Sequence, residues 1–214
     1  APVVPPLPAV QFDLRTADLI VQGKNFHDVR ISGSRPDAAA GARFELKSRE
    51  LAGNFAGQSA GAGKLTGRLA QYSIPETVVK PKELEAKVSE VVDRLPALDI
   101  TVDKLSFKDR ALGGVRIAAE NRNGYWNTKI DVRNEDGTLE ATGRWRPSQS
   151  QPDTRVEFRL DAKSIEKMLA RIGYADTVRR GSAKLSGNLS WTGSPFTIDY
   201  PTLSCGGELV QDAS

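Results

Sequence analysis

Hydrophobic and polar residues alternate along most of this chain, most regularly between Leu95 and Arg146. A period of two places one set of side chains on one face of a β-strand and the other set on the opposite face. The dipeptides Asn123-Gly124 and Asp136-Gly137 separate successive runs, and such pairs supply the positive φ angles of tight hairpin turns. This block therefore predicts an antiparallel meander with one apolar face and one charged and polar face.

The same alternation recurs in shorter runs before and after this block. They span residues 10–14, 19–21, 29–31, 43–47, 50–55, 64–69, 183–191 and 196–200. Turn-forming residues separate most of them, as expected for strands joined by short loops. The pattern predicts a mainly β fold.

Two segments carry apolar residues at helical spacing instead, at about 81–95 and about 162–172. Ser164 or Asp161 can cap the start of the second helix, and Gly173 fits its end. Both predicted helices are short and amphipathic. We expect each to lie against an apolar surface and to close an end or a side of the sheet.

A weak internal repeat divides the chain. Leu65-Thr-Gly-Arg-Leu69 returns as Ala141-Thr-Gly-Arg-Trp145 and again as Leu185-Ser-Gly-Asn-Leu189. Other matches indicate a period of roughly 85 to 90 residues. The predicted organisation is an extended Pro-rich lead-in over 1–9, a first β repeat with its closing helix over 10–94, and a second β repeat with a helix and the start of a further repeat over 95–214.

Charge and length exclude several classes of protein. Lys plus Arg number 30 and Asp plus Glu 27, which gives a net charge of +3 with both signs interspersed. No basic stripe with interleaved aromatic residues indicates nucleic-acid binding. No apolar run reaches the roughly 18 residues that a membrane-spanning helix needs. Because the chain has no initiator Met and ends within a predicted strand, we expect a fragment of a larger protein with any targeting signal or anchor elsewhere.

Candidate catalytic and metal-binding residues are few. His27 and Cys205 are the only residues of their types, so a zinc site is not expected, and His27 is expected in a solvated linker. Ser59 lies in a G-x-S-x-G match, but no helix follows it and His27 precedes it, contrary to the order in hydrolases with that motif. Ser164 and Lys167 fit S-x-x-K without the companion motifs. We predict no catalytic residue, no metal site and no cofactor; an esterase that uses Ser59 is the only catalytic hypothesis that the motifs offer.

The apolar face of the predicted sheet allows two interpretations. The sheet can close on itself or on a second sheet, so that the apolar residues form an ordinary core. Alternatively it curls into an open trough whose apolar side takes up another molecule. A large exposed apolar face is a liability unless it binds something, and serial repeats favour a longer structure built by adding strands.

The segment from Thr154 to Pro195 resembles the C-terminal region of the AsmA superfamily, and of its YhdP-like members in particular. The features that carry the resemblance are a strand, a short helix ending Leu169-x-x-Ile-Gly173, and then Leu185-Ser-Gly-x-Leu189-x-Trp191-x-Gly193. Gly137-Thr-Leu-Glu-Ala-Thr-Gly-Arg-Trp145 precedes them. One departure is Leu203-Ser-Cys205, where the family continues Leu-Ser-Gly into a strand.

The resemblance implies a bridge-like lipid transfer protein: a long, curved antiparallel sheet that forms an open groove, or half-barrel. It implies a periplasmic body tethered to the inner membrane, with phospholipid as partner and membranes contacted through parts of the parent protein outside this chain. It implies no catalytic residue. The alternative is a non-catalytic scaffold domain of a cell-envelope protein. The residues expected to line the groove are Leu98, Ile100, Val102, Leu105, Phe107, Val115, Ile117, Ile130, Val132, Leu139, Val156, Phe158 and Leu160.

Overall fold

The computed structural model describes residues 9–21, 24–36, 41–58, 63–74, 96–108, 110–146, 152–175, 181–195 and 198–212. Within these ranges the fold is almost entirely β. The strands are β1 (Val10–Val21), β2 (Lys24–Arg35), β3 (Ala42–Lys47), β4 (Leu51–Gln58), β5 (Lys64–Ser73), β6 (Ala97–Phe107), β7 (Arg110–Arg122), β8 (Tyr125–Asn134), β9 (Gly137–Arg146), β10 (Asp153–Ala162), β11 (Ser182–Thr192) and β12 (Ser204–Asp212). One α-helix, α1 (Ile165–Ile172), lies between β10 and β11, and a 3₁₀ turn (Tyr200–Thr202) precedes β12.

All of these strands belong to one sheet, in which each strand pairs with its neighbours in chain order. Ten of the eleven pairings are antiparallel, as predicted, but β5 and β6 run parallel. The expectation of a wholly antiparallel sheet is therefore wrong at this pair. Parallel neighbours need a connection of a dozen or more residues, and residues 74–96 are available for it. The predicted boundary near residue 94 lies at this pair; the division into repeats stays a prediction.

The sheet is open, because β1 and β12 form its two edges and do not pair with each other. No second sheet packs on it within the described ranges. The closed β-sandwich that the sequence allowed as an alternative is therefore not found in this part of the chain.

The core consists of two clusters on one face of the sheet. One joins Ala119, Trp126 and Trp145, with Leu98 packed against them. The other has Leu51, Leu69, Val102 and Val115 at its centre, contributed by β4 to β7. Partly buried residues that pack against the second cluster are Phe26, Leu46, Phe55, Tyr72, Ile100, Leu105, Ile117, Ile130 and Val132.

Helix α1 has the ends that its sequence predicts. The Ser164 hydroxyl accepts a hydrogen bond from the Lys167 backbone N–H, and Gly173 ends the helix with φ +106°. Glu166 lies in the first turn and Arg171 in the last, which matches the helix dipole. The helix begins three residues later than the predicted 162. The other predicted helix, at about 81–95, lies outside the described residues.

Three local predictions need correction. Gly137 does not lie in the turn but begins β9, where a Cβ would collide with the Asp161 carbonyl. His27 lies within β2 instead of a linker. The predicted strand at 196–200 is not found at 198–200, because Ile198 and Asp199 are irregular and the 3₁₀ turn starts at Tyr200.

Candidate functional site

The strand register aligns apolar residues into two rows that cross the whole sheet. Each row takes one residue from each strand, and directly opposed residues share a face. Track 1 runs Phe12, Gly33, Phe44, Phe55, Gly67, Ile100, Ile117, Ile130, Ala141, Phe158, Gly187 and Gly207. Track 2 runs Leu14, Ile31, Leu46, Gly53, Leu69, Val102, Val115, Val132, Leu139, Leu160, Leu185 and Leu209. No residue of either track has a charged or hydrogen-bonding side chain.

The opposite face is polar and carries most of the ion pairs. Arg116 and Asp99 approach to 3.3 Å, as do Arg68 and Asp103, and Arg30 bonds Asp13 at 2.6 Å. These groups are mostly solvent-exposed, so each pair contributes little stability. The Arg30 hydrogen bond lowers the pKa of Asp13. The two faces therefore differ in polarity along the whole sheet.

Solvent exposure varies along the apolar face. Leu69 and Val102 are 3% exposed in the middle of track 2, whereas Leu14 at the β1 edge is 60% exposed. The track residues of β8 to β11 are half-buried, for example Val132 in β8 and Leu160 in β10. In a single-layer sheet these half-buried residues present an accessible apolar surface.

Twelve of the thirteen predicted groove residues lie on or beside these tracks. Nine are track residues, namely Ile100, Val102, Val115, Ile117, Ile130, Val132, Leu139, Phe158 and Leu160. Leu98 and Val156 lie in the neighbouring row, and Leu105 packs against the central cluster. Phe107 belongs to neither cluster: it is 40% exposed at a strand end, beneath the Lys108 ammonium group.

Track residues outside β6 to β10 were missing from the predicted set. They include Ile31 and Leu46 in the N-terminal half and Leu185 in β11. The same alternation of apolar residues marks them in the sequence. In these strands the alternating runs are shorter, because glycine occupies some of the positions. The row of Trp126, Trp145, Thr154 and Trp191, which crosses β8 to β11 at one end of the strands, was also not predicted.

Glycines in track 1 lie beside large apolar side chains. A Cβ on Gly67 would come within 2.8 Å of both the Ile100 Cδ1 and the Phe55 ring. The Phe158 ring lies over Gly187 in the same way. The Phe44 and Phe55 rings stack at 5.1 Å. Glycine thus makes room for neighbouring aromatic and branched side chains, which keeps the track filled without polar groups.

A surface depression opens on the polar face of the sheet, although Phe44, Phe55 and Gly67 of track 1 also line it. It has a volume of about 750 Å³ and spans β2 to β7, with Arg43, Glu45, Arg68 and Arg116 among the lining residues. Several of its charged groups already have partners: Arg116 pairs with Asp99, Arg68 with Asp103, and Glu45 with Lys47. It has neither the enclosure nor the mixture of apolar wall and few polar groups that is typical of small-molecule sites.

The described residues offer no metal centre. They contain no group of three or more His, Cys, Asp or Glu side chains able to hold a metal ion. Ser164 is occupied as the cap of α1, and Ser59 lies outside the described residues. The exposed Cys205 lies in β12.

The one histidine belongs to a hydrogen-bond network. His27 Nδ1 lies 2.7 Å from Glu50 Oε1, and the His27 backbone N–H donates to Glu50 Oε2 at 2.9 Å. Burial raises the pKa of Glu50, but the hydrogen bonds from His27 and Ser48 outweigh it and lower that pKa overall. The network links the turn between β3 and β4 to β2.

An open, single-layer sheet with two apolar tracks on one face and charged groups on the other defines the structural class of this protein. A comparison with protein families identifies the family to which the chain belongs. The family model described as YhdP protein matches residues 1–210, and the chain belongs to this family. This confirms the predicted relationship and places the chain among cell-envelope proteins related to lipid transport.

No curated protein and no solved structure matches the chain. In the part of the chain that the structure describes, no helix is long and apolar enough to cross a membrane.

Proposed function

We propose that this chain is one segment of a periplasmic conduit that carries phospholipid acyl chains between the inner and outer membranes. The observation that supports this proposal is the pair of tracks, which cross twelve strands without a charged or hydrogen-bonding side chain. The thirteen predicted groove residues, from Leu98 to Leu160, form the proposed lipid-binding set, extended by the remaining track residues. Membrane contact is assigned to parts of the parent protein outside this chain.

The dimensions suit a phospholipid. Twelve strands spaced at about 4.8 Å give each track a length of roughly 50 Å, which exceeds the roughly 40 to 45 Å thickness of a whole bilayer. A complete lipid therefore fits along the sheet. The sheet is proposed to curve toward the apolar face, which turns this surface into a groove.

The chemistry of the tracks suits transport. Each methylene removed from water contributes about 0.8 kcal/mol, so an acyl chain is held firmly by contact area alone. Because the tracks have no hydrogen-bonding or charged side chains, no polar contact fixes the acyl chain at one position. The lipid is held across the groove and remains free to move along it, while its charged head group stays in water at the open side.

A charge placed in the track tests this proposal. Ala141 lies in track 1 between Ile130 and Phe158, and Thr142, the next residue, lies exposed on the polar face. Ala141→Arg introduces a cation where acyl chains are proposed to lie, whereas Thr142→Arg adds the same charge to the other face. Wild-type and variant chains are purified from a Gram-negative periplasm and their co-purified lipids are quantified by mass spectrometry.

We expect near-stoichiometric phospholipid on the wild-type chain and on Thr142→Arg, and several-fold less on Ala141→Arg. Circular dichroism and thermal melting verify that both variants keep the sheet. A wild-type chain without phospholipid, or equal lipid loss in both variants, contradicts the proposal.

A further inference from the structure

Two arginines share one tyrosine ring at the end of the strands that carries the tryptophan row. The Arg144 guanidinium lies 4.6 Å and the Arg146 guanidinium 4.5 Å from the centre of the Tyr125 ring. We name these three residues the Tyr125 cluster. The ring orders both side chains by cation–π contact, so two positive groups are held at one ring.

The surroundings leave positive charge in excess. Asp153 is the carboxylate nearest to Arg146, at 3.8 Å, but it lies closer to Arg155, at 3.2 Å. Glu120 forms an ion pair with Arg122 at 2.5 Å. The structure gives Arg144 no ion pair among the described residues, and its side chain is exposed. Four arginines therefore lie near two carboxylates here: Arg122, Arg144, Arg146 and Arg155 on one side, and Glu120 and Asp153 on the other.

The cluster borders the apolar face. Trp145, between Arg144 and Arg146 in β9, points to the opposite face and is 2% exposed. It pairs with Trp126, and through Thr154 the row reaches Trp191, whose indole N–H donates to the Ser194 carbonyl at 3.0 Å. Tryptophan and tyrosine favour boundaries where one end of the side chain is apolar and the other is wet. The strand ends thus form a boundary with apolar side chains on one side and guanidinium groups on the other.

We propose that the Tyr125 cluster binds the phosphodiester of a phospholipid whose acyl chains lie on the apolar face. This inference rests on the proposed function, because it requires acyl chains on the apolar face. Guanidinium groups bind phosphate oxygens in bidentate fashion, and charge-assisted hydrogen bonds of this kind are stronger than neutral ones. A phosphodiester relieves the repulsion between Arg144 and Arg146, and the groups that the ring has already ordered lose little entropy on binding.

The test compares two lipids that differ in the phosphate. The affinity of the purified chain is measured for a phospholipid and for a diacylglycerol with the same acyl chains, and separately for inorganic phosphate. The variant is Arg144→Gln with Arg146→Gln. The control is Arg133→Gln with Arg159→Gln, which removes the same charge from exposed positions of the same face. Thermal melting verifies that both double variants fold.

We expect the cluster variant to lose about tenfold in affinity for phospholipid, the equivalent of about one charge-assisted hydrogen bond. Its affinity for diacylglycerol stays unchanged, as do both affinities in the control. Arg144→Lys with Arg146→Lys keeps the charge but not the bidentate geometry, and it is expected to lose several-fold.

Equal losses in the cluster and control variants overturn this inference, because they indicate a non-specific effect of net charge. Binding of inorganic phosphate that depends on Arg144 and Arg146, without discrimination between the two lipids, overturns it in favour of a free-anion site. If the chain binds neither lipid, the proposed function itself fails, which is a separate result.

Discussion

The carboxylate of Glu50 holds the turn between β3 and β4 against β2. It accepts hydrogen bonds from the His27 backbone N–H at 2.9 Å and from the Ser48 hydroxyl at 3.1 Å, and it lies 2.7 Å from His27 Nδ1. The Glu50 carbonyl also accepts a bond from the Ser73 N–H of β5 at 2.7 Å. One residue thus links strands that are not neighbours in the sheet.

Glu50→Gln is expected to lower the free energy of unfolding by about 1 to 2 kcal/mol at neutral pH, because an amide cannot satisfy all of these donors. The lowered pKa of Glu50 in the folded chain makes its contribution complete above its ordinary pKa, and the contribution is lost as pH falls through the lowered value. The gap between wild type and variant should therefore close below about pH 4. Urea unfolding at several pH values measures it, and a gap that stays constant with pH argues against an ionised Glu50. Asp28→Asn is the control, because Asp28 pairs with Arg49 on the surface with both side chains more than two-thirds exposed.

Arg171 anchors α1 to the sheet. Its Nε donates to Asp136 at 2.5 Å, one terminal nitrogen to Glu135 at 2.6 Å, and the other to the Ala111 carbonyl at 2.9 Å. Asp136 is 4% exposed, whereas the Glu135 side chain is 79% exposed.

Arg171→Ala should therefore cost about 3 kcal/mol, because it leaves a buried carboxylate without its cation. Glu135→Gln should cost less than about 1 kcal/mol, because it removes only a surface pair. Denaturation curves for both variants check this difference. Equal costs would show that Asp136 does not depend on Arg171.

At the scale of elements, glycine positions on the apolar face of the sheet are not equivalent. A Cβ on Gly53 would come within 2.9 Å of backbone atoms of Arg68 and Leu69 in β5, whereas a Cβ on Gly143 would meet nothing closer than 3.8 Å. Gly53→Ala is expected to cost about 2 kcal/mol more than Gly143→Ala, because β4 and β5 must separate to admit the methyl group. Thermal or chemical unfolding of the two variants measures the difference; similar stabilities would mean that β4 can shift at no cost.

Most elements were predictable because the signal that specifies them is local. Alternation and the Asn123-Gly124 turn, with φ of +55° and +76°, identify β6 to β9, and Ser164 and Gly173 mark the ends of α1. The parallel pairing of β5 and β6 was not predictable, since the alternation of side chains is the same for either strand direction. The run 196–200 alternates too, but Pro201 and the bond from the Thr202 hydroxyl to Asp199 at 2.6 Å form a 3₁₀ turn there.

The residues of the candidate site could be predicted from the sequence to the same degree as the strands. Alternation shows which residues share a face, so the set from Leu98 to Leu160 could be named. Phe107 lies off the tracks because its strand ends in a hairpin, where it is exposed beside Lys108; its place in the groove stays a prediction. The tracks themselves required the register of eleven strand pairs, and the Tyr125 cluster required contacts between β8 and β9; no spacing in the sequence encodes either.

At the scale of the whole molecule, each strand contributes one residue to each track. Phe158 in track 1 is half-buried, and its neighbour Glu157 is exposed on the opposite face of β10. The two positions are adjacent in β10 and their side chains project from opposite faces of the sheet. They allow the two faces to be compared at one position of the chain.

The most direct measurement replaces Phe158 or Glu157 in turn with the photoreactive residue benzoylphenylalanine, irradiates cells that produce each variant, and detects cross-linked phospholipid by mass spectrometry. If the apolar face carries acyl chains, position 158 cross-links phospholipid and position 157 does not. Cross-linking that is equal at the two positions, or confined to position 157, would contradict the account.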